Sequence, residues 1–169
     1  MEIQFETNYN QKAMSTMAKT LRKTLRKDRN RRTHIFGWII VILSIFIAWD
    51  GFRLDFRYIL TCLAIFLIVF VLIWEDQVNG FIARKRILTG TERTTTVFSE
   101  DGYCSTTELG KTEWNYDKIM ALAETKEYFV FIFSTSHAQV YDKNGISGGT
   151  VQEFRSFIES KTKKKVTMI

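Results

Sequence analysis

Two apolar stretches near the middle of the chain constrain its fold more than any other feature. Residues 35–49 and 58–74 contain no Asp, Glu, Lys or Arg and are rich in Ile, Leu, Val and Phe. A helix needs about 20 apolar residues to cross a bilayer's hydrocarbon core, whereas a helix on a soluble core normally keeps a polar face. The stretches therefore predict a transmembrane hairpin, with spans at about 35–52 and 57–75 and a tight extramembrane turn at 50–57. Two buried helices of a soluble protein are the alternative, which the missing polar face disfavours.

Basic residues flank the hairpin and predict its orientation. Lys and Arg are dense between residues 19 and 32 and recur at 84–86, and the chain carries a net charge of +6. Because Lys and Arg are retained on the cytoplasmic side, both termini are expected in the cytoplasm. The protein is then expected to be a multi-pass protein of the plasma membrane. The cluster adjoins an apolar stretch, so anionic lipid is its expected partner rather than nucleic acid. The expected headgroup contacts are Arg22, Lys23, Arg26, Lys27, Arg31 and Arg32.

The segment before the hairpin combines a strand and a helix. Residues 2–7 alternate apolar and polar, which predicts a half-buried strand that joins a sheet at the far end of the chain. Residues 10–32 are predicted to be one helix, since Met14, Met17, Leu21 and Leu25 recur at helical spacing. This basic amphipathic helix could lie on the membrane, or its apolar stripe could pack on the soluble domain. Both alternatives stay open, and they can coexist on different faces.

The chain after the hairpin changes from helical to β texture. A juxtamembrane helix is predicted over residues 76–90, ending at Gly90. Short strands joined by tight turns then predict an antiparallel meander, with residues 128–134 as its central strand. Thr150 and Glu153 fit the capping box of a last helix over 150–162.

These elements define an α+β membrane protein. The predicted domains are the strand and basic helix (1–33), the transmembrane hairpin (34–75), the juxtamembrane helix (76–90) and a cytoplasmic β-domain with its C-terminal helix (91–169).

Over most of its length, with two spans near the N-terminus and then a β-domain ending in a helix, the sequence resembles the YcxB-like family of small bacterial membrane proteins. The resemblance rests on three runs, at residues 97–102, 114–119 and 124–131, followed by Lys143, Phe154 and Phe157. It implies a domain similar to the pleckstrin-homology fold, two packed sheets capped by one helix, with the N-terminal strand contributed across the membrane insertion. The resemblance implies no enzymatic activity.

Residues for catalysis, cofactors or metal ions do not form a recognisable pattern. His34 lies in the basic cluster and His137 opens a strand, and neither has an acid or thiol at a spacing that would make it a base. We therefore expect a non-enzymatic, membrane-anchored binding, adaptor or regulatory module without cofactor or metal, with lipid and a protein or peptide as partners. The alternative function is immunity against a membrane-active bacteriocin or toxin. A transporter subunit is disfavoured because the spans lack ionisable residues.

Overall fold

The computed structural model of the chain describes residues 2–49 and 56–169. Most of the predicted turn at 50–57 therefore lies outside the described residues. Within the described ranges the helices are α1 (Gln11–Lys23), α2 (Lys27–Trp49), α3 (Phe56–Lys85) and α4 (Val151–Thr162). The strands are β1 (Ile3–Asn8), β2 (Arg93–Phe98), β3 (Tyr103–Thr106), β4 (Lys111–Trp114), β5 (Ala121–Glu124), β6 (Tyr128–Ile132), β7 (Ala138–Asp142), β8 (Ile146–Ser147) and β9 (Val166–Met168).

Helices α2 and α3 correspond to the two predicted spans: α2 begins at Lys27, earlier than predicted, and α3 joins the second span to the predicted juxtamembrane helix but ends at Lys85, before Gly90. Their segments Lys27–Ile47 and Tyr58–Lys85 are long and apolar enough to cross a membrane. Large apolar side chains point away from the protein along both, as at Phe46 and Phe66, which are 78% and 64% exposed. The predicted juxtamembrane helix is the continuation of α3 beyond Trp74, whose φ of −103° and ψ of 23° interrupt the helical geometry.

The prediction of one helix over residues 10–32 was wrong, because the chain breaks between α1 and α2. Thr24 has φ −102° and ψ −96°, and its hydroxyl donates to the carbonyl of Thr20 at 2.7 Å. Such a back-bond competes with regular helical hydrogen bonding. The break separates α1, which packs on the β-domain, from α2.

The strands form two sheets, and β1 joins one of them as predicted. The first sheet has the order β4-β3-β2-β1-β8 and the second β7-β6-β5-β9. Strand β1 pairs antiparallel with β2 over its whole length, from Ile3 opposite Phe98 to Asn8 opposite Arg93. Strand β6 is interior and fully buried, which confirms its predicted central place. The sequence did not predict β8 or β9, and β9 pairs parallel with β5.

Helix α4 packs into the aromatic core between the sheets. Thr150 and Glu153 form the predicted capping box at its start. The ring of Phe154 lies 4.6 Å from that of Phe5, 4.8 Å from that of Phe98 and 5.0 Å from that of Phe129, measured between centroids. Edge-to-face contacts at these separations add to the stabilisation from burial.

A buried ion cluster fastens α4 to the second sheet. Glu124 is only 1% exposed, and its carboxylate accepts from Lys143 Nζ at 2.5 Å and from Arg155 Nε and Nη2 at 2.7 Å each. Burial acts to raise the pKa of Glu124, but the hydrogen bonds from Arg155 and Lys143 outweigh it and lower the pKa below its ordinary value. Glu124 therefore stays ionised inside the domain.

Helix α1 covers the outer face of the second sheet, which answers one of the alternatives left open. Ala13 and Leu21 are buried against Val130, Ile132 and Val140. The apolar stripe of α1 thus packs on the β-domain, and only its polar side is left to face outward.

Candidate membrane-contact site and cleft

The six basic residues predicted to contact lipid fall on both sides of the break between α1 and α2. Arg22 and Lys23 end α1, Arg26 lies in the break, and Lys27, Arg31 and Arg32 lie in the first turns of α2. The same stretch leads directly into the exposed apolar part of α2.

Two of the six tie the helices to the rest of the protein. Arg22 forms a two-pronged ion pair with Asp76 of α3, with Nε–Oδ1 at 2.8 Å and Nη2–Oδ2 at 2.6 Å. The hydrogen bond to Asp76 raises the pKa of Arg22 further above neutral. Arg26 Nε donates to the carbonyl of Thr135, in the turn between β6 and β7, at 2.5 Å. These contacts make Arg22 and Arg26 internal links.

The other four, Lys23, Lys27, Arg31 and Arg32, are exposed. No carboxylate within residues 2–49 and 56–169 forms an ion pair with them. Cations that stay solvated beside an apolar helix can meet an anionic surface without breaking an existing pair.

The polar groups at the base of the helices form one cluster. His34 Nε2 of α2 lies 2.8 Å from Glu75 Oε2 of α3, and Arg22 Nε lies 3.8 Å from the same oxygen. Next to it, Gly80 lets α1 approach α3 closely, because a Cβ there would lie 2.6 Å from the backbone nitrogen of Ser15. His34 is thus a link between helices.

A cleft that sequence reasoning missed opens between the first sheet, β7 and α1. Its volume is about 350 Å³. Of the described residues that line it, none is Asp, Glu, Lys or Arg. They are Tyr9, Met14, Met17, Ile87, Thr91, Thr94, Ser105, Thr107, Thr112, Trp114, His137, Ala138 and Gln139. Hydroxyl groups therefore occupy places on the inner face of the sheet where apolar side chains would usually close a core.

Gln139 lines the cleft and is hydrogen-bonded to two tyrosines whose hydroxyls burial keeps neutral. Tyr141 and Tyr103 both donate to Gln139 Oε1, at 2.6 and 3.1 Å. Burial raises the pKa of Tyr9 to about 12 and raises those of Tyr103 and Tyr141 as well. The Nε1 of Trp114 is buried with no acceptor among the described residues. Buried donors are nearly always paired, so this indole N–H is an exception in the domain.

His137 is part of the cleft wall and has no catalytic arrangement. Its ring stacks on Trp114, with centroids 5.9 Å apart and planes 22° apart. Across the described ranges, no three His, Cys, Asp or Glu side chains are grouped so as to hold a metal ion. The hydroxyls and the amide that line the cleft can hydrogen-bond an uncharged group.

The architecture is that of an α+β protein with two candidate membrane spans, a β-domain and a C-terminal helix. Residues 98–158, from the end of β2 into α4, match the family model described as YcxB-like protein. This match confirms the family resemblance that the sequence suggested. Neither a curated protein nor a solved structure matched the chain.

Proposed function

We propose that the protein is a non-enzymatic, membrane-anchored binding module of the bacterial plasma membrane. Helices α2 and α3 cross the membrane as a hairpin and hold a pleckstrin-homology-like β-domain at the cytoplasmic leaflet. Four cations at the start of the hairpin contact anionic lipid, and the cleft binds an uncharged ligand.

The pairing of β1 with β2 is the observation that carries this proposal. Strand β1 precedes both long helices and β2 follows them, yet six residue pairs join the two strands in one sheet. The two ends of the helical segment therefore lie on one side of any membrane that it crosses. Because backbone groups must be satisfied inside the bilayer, a helical hairpin is the economical way to meet this condition.

The basic residues that flank the hairpin support placing both of its ends on the cytoplasmic side. Arg31 and Arg32 precede the apolar part of α2, and Arg84 and Lys85 end α3. Cytoplasmic flanks carry such an excess of Lys and Arg. Two sheets with a C-terminal helix packed against their core support the pleckstrin-homology-like fold.

Lipid contact is tested by neutralising the four predicted contact residues that are exposed at the start of the hairpin. Each Lys or Arg near an anionic leaflet contributes about 1 kcal/mol, or about fivefold in an equilibrium. The variant with Lys23, Lys27, Arg31 and Arg32 changed to Gln should retain less phosphatidylglycerol in native mass spectrometry from mild detergent. The matched control neutralises four exposed lysines of the β-domain, Lys111, Lys118, Lys126 and Lys163. Equal lipid retention by the variant and the control would rule out a specific contact.

The cleft is tested by placing a charge at its rim. Thr112 is exposed and lines the cleft, so Thr112→Arg should leave the fold intact and obstruct the site. Affinity capture of tagged wild type and variant in mild detergent, with identification of lipids and proteins, should show material that only the wild type retains. Identical captured material would place the ligand elsewhere.

A further inference from the structure

The part of α3 beyond Trp74 presents an exposed apolar stripe. Phe81 and Ile82 are 46% and 42% exposed, and Leu88, just past the helix, is 65% exposed. Phe81 and Lys85 are four residues apart within the helix, which places them on one side of it, and Leu88 follows three residues after the helix ends. A soluble surface rarely gathers large apolar side chains without a use for them.

The opposite side of the same segment is already occupied by α1. Asp76 pairs with Arg22, and Gly80 is buried against Ser15 at backbone contact. The stripe is therefore the side of α3 that faces away from the rest of the protein.

Three cations accompany the stripe. Arg84, Lys85 and Arg86 are all exposed. The Nζ of Lys85 lies 4.6 Å from the centroid of the Phe81 ring, so the cation and the apolar surface form a single patch. Apolar and basic side chains mixed in this way are typical of helices that lie in the interface of an anionic bilayer.

Each arm of the hairpin carries a backbone irregularity close to the same ion pair. The break at Thr24 separates α1 from α2, and the irregular residue Trp74 divides α3. The Arg22–Asp76 pair joins the two arms next to both irregularities. Helix α1 and the end of α3 are thus packed together as one unit beyond both irregularities.

We infer that this patch lies in the headgroup layer and seats the β-domain on the cytoplasmic leaflet. The inference rests on the proposed membrane anchoring and adds a surface distinct from the cations at the start of α2. A second copy fits the patch less well, because a symmetric contact would bring three cations against three. If α3 instead continued straight out of the membrane beyond Trp74, its 11 further residues would raise Leu88 more than about 16 Å above the membrane surface.

The experiment measures depth with a fluorophore on the full-length protein. Cys62 and Cys104 are replaced by Ser, and one environment-sensitive label is attached at Leu88→Cys. The protein is reconstituted in vesicles of equal parts phosphatidylethanolamine and phosphatidylglycerol, with nitroxide lipids as quenchers. The control labels are Gln152→Cys on the exposed side of α4 and Phe66→Cys within α3.

The fluorescence emission of the label at position 88 should be blue-shifted and should be quenched by nitroxides near the headgroups. The emission of the label at position 152 should show neither effect. Changing Arg84, Lys85 and Arg86 to Gln should weaken the contact by about fivefold per residue. If the label at 88 is exposed to water while the label at 66 is quenched by lipid, the patch does not lie in the headgroup layer, but the proposed membrane anchoring still holds. A label at 88 shielded from water but not quenched by lipid would indicate a protein partner and would also overturn the inference that the patch lies in the headgroup layer. Absence of quenching at 66 would refute the membrane anchor itself.

Discussion

Replacing Glu124 by Gln should weaken the β-domain more than any exposed charge change. The carboxylate is 1% exposed and accepts three hydrogen bonds from Lys143 and Arg155. Gln keeps the shape but removes the charge and turns an amide N–H₂ towards two cations. The substitution therefore leaves buried positive charge without its counter-ion.

The magnitude follows from the exposure of the two cations. Removing one partner of a buried ion pair costs about 3–5 kcal/mol. The Arg155 side chain is 38% exposed and can be rehydrated, whereas that of Lys143 is 12% exposed and keeps the carbonyl of Thr125 at 2.6 Å. We therefore expect Glu124→Gln to lower the free energy of unfolding by about 3 kcal/mol, the lower end of that range.

Urea unfolding in mild detergent, followed by Trp114 fluorescence with the other three tryptophans changed to Phe, measures this cost. The matched control is Glu127→Gln, which breaks a solvent-exposed pair with Lys12 and should cost little stability. In the double variant with Lys143→Met, the cost should fall well below the sum of the single costs. A loss for Glu124→Gln equal to that of the control would refute the reasoning.

Three further predictions follow from single contacts. The pKa of Glu124 is lowered in the folded protein, so its stabilisation is present above the ordinary Glu pKa of about 4.3 and is lost as the pH falls through the pKa of the folded state. Glu124→Gln should therefore flatten the acid side of a curve of stability against pH. Thr150→Ala removes the cap of α4 and should cost about 1 kcal/mol in the same urea assay, whereas Thr150→Ser should cost little. Gly80→Val forces a side chain against the backbone of Ser15, so hydrogen exchange in α1 should become faster; unchanged protection there would contradict the close contact.

Patterns local in sequence predicted several elements correctly. The two charge-free stretches predicted α2 and α3, and Thr150 with Glu153 predicted the start of α4. The alternation in residues 2–7 predicted that β1 would join the distant sheet, since a half-buried strand needs a partner. Each of these signals is a periodicity or a cap that depends on neighbouring residues.

What the sequence did not predict depends on contacts between distant residues. The break at Thr24 follows a helix that is held by the sheet and by Asp76, 54 positions from Arg22. Strand β9 is three residues long and becomes a strand only by pairing with β5. Arg22 and Arg26 belonged to one basic run with the other four cations, and only the fold shows that those two are internally bonded.

The cleft left a weak signal in the sequence. Thr94 and Thr96 of β2 and Ser105 of β3 lie on the inner side of the sheet, where Thr96 Oγ1 and Ser105 Oγ are 3.1 Å apart. Threonine favours strands for reasons of shape alone, so the run 94–96 first indicated only a strand. The register with β3 places Thr96 opposite Ser105 and so identifies the polar inner face.

The account depends most directly on both ends of the helical segment lying on the cytoplasmic side of the membrane. Single cysteines at Asn8, Ser160 and Phe52, in a background without Cys62 and Cys104, can be probed with a membrane-impermeant maleimide in intact and lysed cells. We predict that positions 8 and 160 react only after lysis, and that position 52, between the two helices, reacts in intact cells. Labelling of 8 and 160 on opposite sides of the membrane, or of both in intact cells, would contradict the account.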